Sequence, residues 1–442
     1  MRIPPLLGLG MLILASWSFV FAGSPDGGLA RRGDLGAAWT IGDQSQPGAR
    51  IVQLRSTGAA ALAGLKVGDR VIAANGRALD GADAVEQALR RPPAGRPLRL
   101  DVLRGSEKLA VTIEPPEVPR ETYAKADVIY ASAVDARGQK VRVIVTRPKG
   151  ATGRSPAIFV ATWLSDDSVE APTDDTRDGS KRVLRHLAAS GEYVVMRVDK
   201  PGVGDSEGVC AETDFETELS GYRAAFRNLR EFDFVDPERI FVLGMSNGGG
   251  YAPLVADGAP VRGYVVEGGW CKTWFEHMLE IERRRFTLMG RSPAEVSRAM
   301  AAVAELHGDY LLHGRTPAGI FAAKPHLREF WTDDTPATQY GRPPAFYQQL
   351  QRLNLAEAWS QVRVPTLALH GEFDWIMSRE DMELIAALVN RNSPGAGEFR
   401  ALPGRGHDFP NFTSMTDAFA WKAAPFDPAI LAELKDWFDR HR

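Results

Sequence analysis

Cysteine is scarce. The 442 residues hold only Cys210 and Cys271, which excludes a disulfide-held scaffold. In an exported chain the two would either join in one bridge or stay as two thiols, and the sequence does not supply the Cα separation a bridge requires. Histidine is scarce too: the eight residues are scattered without ligand spacing, so neither a metal nor a cofactor is expected. An excess of one charge is missing, with 53 basic and 56 acidic residues leaving a formal net charge of -3. That excludes the broad basic footprint of a nucleic-acid binder. No Lys/Arg cluster on an amphipathic segment marks a membrane surface. Internal repeats and low-complexity tracts are also absent. What remains is an ordinary globular balance, 44% hydrophobic and 25% charged, able to bury a sizeable core, in a chain long enough for two folded units.

The one marked apolar run is N-terminal. "MRIPPLLGLGMLILASWSFVFAG" has an early cation at Arg2, an apolar stretch from Leu6 and small residues near Ala22. It reads as a secretory signal over residues 1–22, cleaved after Ala22, which implies a periplasmic or secreted chain. The run is nearly long enough to span a bilayer, so an uncleaved anchor is the alternative.

Residues 25–117 alternate short strands and turns with one clear helix. "ARIVQLRSTGAAALAGLKVGDRVIAANGRAL" contains strand, small-residue helix, a Gly-Asp turn and a strand closing on Asn75-Gly76, a hairpin signal. "GADAVEQALRR" sets Ala84, Val85, Ala88 and Leu89 on one helical face, and "PLRLDVLRGSEKLAVTIEPP" is a hairpin. On "GLKVGDRVIAANG" (64–76) and "DLGAAW" (34–39), this unit resembles a PDZ domain of the bacterial type. The resemblance implies a carboxylate-binding loop at Leu35, Gly36, Ala37 and Ala38, and an exposed strand edge where the C-terminal peptide of a protein pairs. The alternative is a spacer whose groove is unused.

"PPEVPRET" (115–122) is a proline-rich joint before a second unit, 118–442. There a hairpin ("VIYASAVDARGQKVRVIVTRP") precedes strand–helix alternation, the pattern of an α/β fold with a mostly parallel sheet covered on both faces. The alternation stops over about 268–364, a helix-rich, aromatic-rich insertion between two core strands. An insertion there falls over the functional edge of such a sheet. It reads as a lid, or else as an extra helical layer whose aromatics are only core.

"RIFVLGMSNGGGYAPLVA" (239–256) runs an apolar strand into Gly244-Met245-Ser246-Asn247-Gly248 and then a helix. A serine hydroxyl is a poor nucleophile near neutral pH and needs a base, itself oriented by an acid. Asp374 ends "TLALHGEFD", and His407 lies in "GRGHDF". His370 reads as strand-end packing. Asp408 is a rival acid, Asp381 belongs to the first turn of the next helix, and Glu276, Glu280 and Glu282 read as a solvated helix face, the alternative being a site for a substrate amine as in exopeptidases.

On Ser246 in its elbow, Asp374 and His407 in that order, residues 120–442 resemble an α/β-hydrolase of the serine esterase and peptidase type. "RVDKPGVGDSEG" (197–208) is similar to a segment in many members of that fold. The resemblance implies Ser246 as nucleophile, His407 as base and Asp374 as its orienter. The backbone N–H of Asn247 would be one oxyanion donor, with that of Leu164 or Trp163 as the second. Here the chain departs from the family, because Thr162-Trp163 replaces the usual His-Gly. Implied activities are cleavage of carboxylic esters or of small peptides; the contrasting expectation is an inert scaffold.

Overall fold

The computed structural model describes residues 25–41, 47–172, 178–333 and 335–442; the expected signal segment lies outside the described residues. Two sheets divide the chain. The first is antiparallel and contains β1 (Ala37–Ile41), β2 (Ala49–Leu54), β3 (Arg70–Ala74), β4 (Arg77–Ala78), β5 (Leu98–Arg104) and β6 (Glu107–Ile113), in the order β1-β2-β3-β5-β6 with β4 on β3. Alternation places Leu98, Leu100 and Val102 of β5 inward, where they meet Leu35, Ile51, Val71 and Leu89 in one core. β1 is an edge strand.

The second sheet has eight strands: β7 (Ala126–Val134), β8 (Lys140–Pro148), β9 (Ser155–Ala161), β10 (Val194–Val198), β11 (Val235–Met245), β12 (Gly263–Glu267), β13 (Thr366–Gly371) and β14 (Gly397–Leu402). Their order is β14-β13-β12-β11-β9-β10-β8-β7. The pairings from β10 to β14 are parallel, and β7 and β8 add an antiparallel hairpin. The central strands read as unbroken apolar runs because both faces are covered. Phe159 and Val242 face the helix Phe215–Glu231, whereas Ile158, Phe241 and Leu243 face the helices Gly179–Ser190 and Ala429–His441. Local chemistry sets the helix ends. Asp178 and Asp214 accept the amides of Lys181 and Thr217 at the N-caps, and Gly191, at φ +68°, closes the helix Gly179–Ser190.

Between β12 and β13 the chain forms the helices Trp274–Leu288, Pro293–His307, Pro317–Ala323, Pro344–Gln351 and Leu355–Ser360. Capping boxes at Thr273/Glu276 and Ser292/Glu295 start the first two. Trp270, Trp274, Tyr310, Phe346 and Tyr347 are all buried in the same core as the sheet, with Trp270 and Trp274 edge-to-face at 5.0 Å. The insertion is thus a core-packed helical layer. It also reaches the strand ends: Arg284 donates to the carbonyls of Trp375 and Ile376, just past Asp374.

The proline-rich joint is anchored. Glu121 receives both Arg197 guanidinium nitrogens at 2.7 and 2.6 Å, with neither side chain exposed, and also accepts Tyr123 Oη and the Ala171 amide. Arg197→Met would strand the Glu121 carboxylate in the core. The expected loss is about 3–5 kcal/mol in urea unfolding, with the double change Glu121→Leu/Arg197→Met less damaging. Equal losses for single and double variants would contradict this account.

The two sheets meet at a polar contact. Arg31 pairs with Glu170 at 2.6 Å and with Asp205 at 2.7 Å, all three side chains buried. Arg91 donates to the carbonyls of Gly202, Gly204 and Ser206.

Candidate active site

β11 ends at Met245, and Ser246 takes φ +52°, ψ -123° before the helix Asn247–Val255 begins. Such a backbone is strained for a residue with a Cβ and persists only when its surroundings hold it. They do so through close packing. A Cβ on Gly248 would stand 2.3 Å from the Ala161 carbonyl oxygen, so only glycine lets this turn sit on the end of β9. The Gly248 amide donates to Thr162 O at 3.0 Å, and the Ser246 amide to Glu267 O at 2.8 Å.

Asp374 follows β13 in a tight turn closed by its own amide on Gly371 O. Its Oδ1 accepts the amides of Ile376 and Met377, both at 2.9 Å, which leaves Oδ2 for His407 Nδ1 at 2.9 Å. His407 lies in the loop after β14, braced by Arg405, which donates to Phe409 O at 2.8 Å. Its Nε2 stands 2.8 Å from Ser246 Oγ. Three side chains distant in sequence form one hydrogen-bonded line at the C-terminal edge of the parallel strands. In the neutral ring, with Nδ1–H donated to Asp374, Nε2 can accept the serine proton.

The electrostatics match that line. Burial disfavours the charged forms of both groups, but their pairing outweighs it. Asp374 stays below the ordinary carboxylate range, with His407 and the Met377 amide as causes. The His407 imidazole is raised to about 10, against burial that lowers it, chiefly by the carboxylates of Asp374 and Asp408. Glu267, fully buried at the end of β12, is itself pushed well above the carboxylate range by burial, which favours its neutral form. Glu267, Asp374 and His407 bring ligand-type atoms within 4.8 Å of one another. That spacing would suit a cation, but both ring nitrogens of His407 are already engaged by Ser246 and Asp374.

The amide of Asn247 opens its helix and so has no partner within it. The Asn247 side chain accepts Trp270 Nε1 at 2.9 Å, fixing it against the insertion. Trp163 and Leu164 continue from Thr162, whose hydroxyl meets Tyr222 Oη at 2.6 Å. Lys200, also buried, donates from Nζ to Trp163 O at 2.6 Å and to Ser165 O. Burial pulls its ammonium down to about 7. Even the neutral amine keeps two N–H donors for these two carbonyls.

Other expectations meet varied outcomes. The bridge considered between Cys210 and Cys271 is not formed: both are free and buried. Cys210 Sγ receives Arg342 Nη1 at 2.9 Å, whereas the chain at Cys271 is held by its amide on Asp381. Asp381 does open a helix, but it is buried and ties the start of the insertion through the amides of Cys271 and Lys272. Glu282 departs from the solvated face, being 1% exposed and paired with Arg285. Asp408 reaches only 3.9 Å from His407 Nε2 and instead accepts Ser180 Oγ at 3.1 Å. His370 is buried, with Nε2 3.3 Å from Met377 O.

Sequence reasoning missed Glu267 and Lys200. The signals were present: an acid closing the strand "GYVVE", and a lysine two residues past the buried strand "VVMRV".

In the first sheet, Leu35–Ala38 line a groove of about 320 Å³ together with Trp39, Leu89 and Arg90. The Gly36 amide there donates to Asp34 Oδ1 at 2.8 Å.

Comparisons with known proteins fit this architecture. Residues 177–423, more than half of the chain, match the model of the alpha/beta hydrolase family, and residues 33–114 match that of the PDZ domain. No curated protein matches the chain by sequence. Similar solved structures include the esterase RhEst1 from Rhodococcus sp. ECU1013, at 16% identity and TM-score 0.42, covering 71% of this chain and 99% of that one. Est1E from Butyrivibrio proteoclasticus, solved with ferulic acid bound, is 14% identical with TM-score 0.46 over 70% and 99%. Carboxyl esterase 2 from the fungus Tuber melanosporum is 15% identical with TM-score 0.43 over 74% and 92%. These likenesses are too distant to speak for the site. The family match over 177–423, on a sheet of this strand order, makes the chain a member of the alpha/beta hydrolase family with a PDZ domain ahead of its hydrolase sheet.

Proposed function

We propose that the protein is an exported serine hydrolase that cleaves carboxylic esters through an acyl-enzyme, with its PDZ domain holding the C-terminal peptide of a protein. The observation that carries the reading is the line Asp374–His407–Ser246, with contacts of 2.9 and 2.8 Å. Ser246 Oγ attacks the ester carbonyl as His407 Nε2 takes its proton, and Asp374 holds the ring and stabilises the imidazolium. The proton then passes to the departing alkoxide, and water repeats the sequence on the acyl group. The Asn247 amide and that of Leu164 or Trp163 receive the oxyanion. A periplasmic or secreted location follows from the N-terminal segment. In the PDZ groove, the edge of β1 pairs with the peptide, and its carboxylate meets the Leu35–Ala38 loop once Asp34 yields.

The test is labelling by a fluorophosphonate. The wild type should label, and Ser246→Ala should not. An unlabelled wild type would favour an inert scaffold. An aryl ester should turn over faster than aminoacyl or peptidyl anilides; a marked preference for anilides would move the reading to a peptidase.

A further inference from the structure

The turn Asp199–Ser206, directly after β10, is held by both domains. On the hydrolase side, Asp199 accepts Ser168 Oγ at 2.9 Å and the Val169 amide at 2.8 Å. On the PDZ side, the Arg91 guanidinium spans three of the turn's carbonyls, with Nε on Gly204 O at 2.9 Å. Asp205 accepts Arg31 Nη1 at 2.7 Å and the Arg32 amide at 2.9 Å. From inside this turn Lys200 reaches Trp163 O and Ser165 O. A peptide unit is planar, with its C=O and the next N–H pointing opposite ways. A lysine that fixes the Trp163 carbonyl therefore fixes the direction of the Leu164 amide. That amide lies two residues past Thr162, whose own carbonyl receives Gly248 of the serine turn.

The other end of the connection lies in the PDZ groove. Arg32, Leu89 and Arg90 line it, and each is next to or within two residues of Arg31 or Arg91. We propose that the turn Asp199–Ser206 is a relay between the PDZ groove and the oxyanion side of the active site. Lys200 is the positioning residue for the Leu164 amide, and Arg91 holds Lys200 in place from the PDZ domain. The proposal rests on the reading of Ser246 as an acyl-transfer nucleophile. It adds that the hydrolase is complete only with its PDZ domain docked, and that events in the groove reach the rate through kcat.

The experiment uses the full chain and an aryl ester. Lys200→Met should lower kcat by about 100-fold, the scale of one misplaced oxyanion donor, with KM changed less than about twofold. Arg91→Met should lower kcat by about tenfold, and Arg91→Lys should recover part of that loss. Because both act through one element, the double variant should be no slower than Lys200→Met alone. Losses that multiply, losses carried by KM, or an Arg91→Met enzyme with wild-type kcat would each overturn the relay. If Lys200→Met fails to fold, the two Arg91 variants decide on the same criteria. Fluorophosphonate labelling separates the two failures. A wild type that labels beside an unaffected Arg91→Met removes the relay alone, whereas an unlabelled wild type removes the nucleophile reading and the relay with it.

Discussion

His407→Ala is expected to lower kcat for an aryl ester by about a million-fold, the scale seen when a nucleophile–base unit loses its base. The physical reason is specific to this geometry. Nε2 stands 2.8 Å from Ser246 Oγ, and the ring is buried, so water cannot readily take over as base. The oxyanion donors would remain, and some rate over uncatalysed hydrolysis with them. Circular dichroism and thermal unfolding should show the fold intact. A loss of less than tenfold in a folded variant would mean that the hydrogen-bonded line is not the machinery of turnover.

For Asp374→Asn the expected loss is about ten-thousand-fold, because an amide stabilises neither the tautomer nor the imidazolium that the reaction forms. The pH profile gives a second readout. Asp374 is the leading carboxylate that raises the His407 pKa, against a burial effect that lowers it. The base works only when neutral, so wild-type kcat/KM should rise with pH along a limb lying above the ordinary histidine value of about 6.5. Removing the charge at residue 374 takes away that support, and the limb should move to lower pH while the plateau falls. Burial favours the neutral form of Glu267, so Glu267→Gln should move the limb less than Asp374→Asn does. A limb that stays put in Asp374→Asn, or moves up, would show that His407 is not the group being titrated.

Both expectations were partly legible in the residues. The strand-to-helix turn at Ser246 announces itself because only small neighbours permit it: Gly244 and Gly248 stand where a Cβ would meet backbone at 2.8 and 2.3 Å. The parallel strands announce themselves as apolar runs, because a strand buried on both faces has no polar side to alternate. Asp374 is visible in the turn after such a run, and His407 in a glycine-lined loop after a short strand. Glu267 ends a strand and Lys200 stands two residues past one, but they belong to no familiar pattern. Their importance comes from burial, and a residue's burial is set by neighbours the local text does not contain. The insertion shows the same limit. Its aromatic content suits a lid or a core, and only the packing of Trp270, Trp274 and Tyr347 into the sheet's own cluster decides between them. The cysteines were undecidable for a related reason, since a bridge depends on where two distant elements meet.

By itself the sequence determined two units, the alternation of the second, and which polar residues stand at its strand ends, because these follow from period, propensity and local sterics. The tertiary structure decided the rest: that Cys210 and Cys271 stay apart, that the PDZ domain grips the turn bearing Lys200, and that one histidine lies between a serine and an aspartate. Those outcomes depend on distances between residues as many as 174 positions apart, which no local pattern encodes.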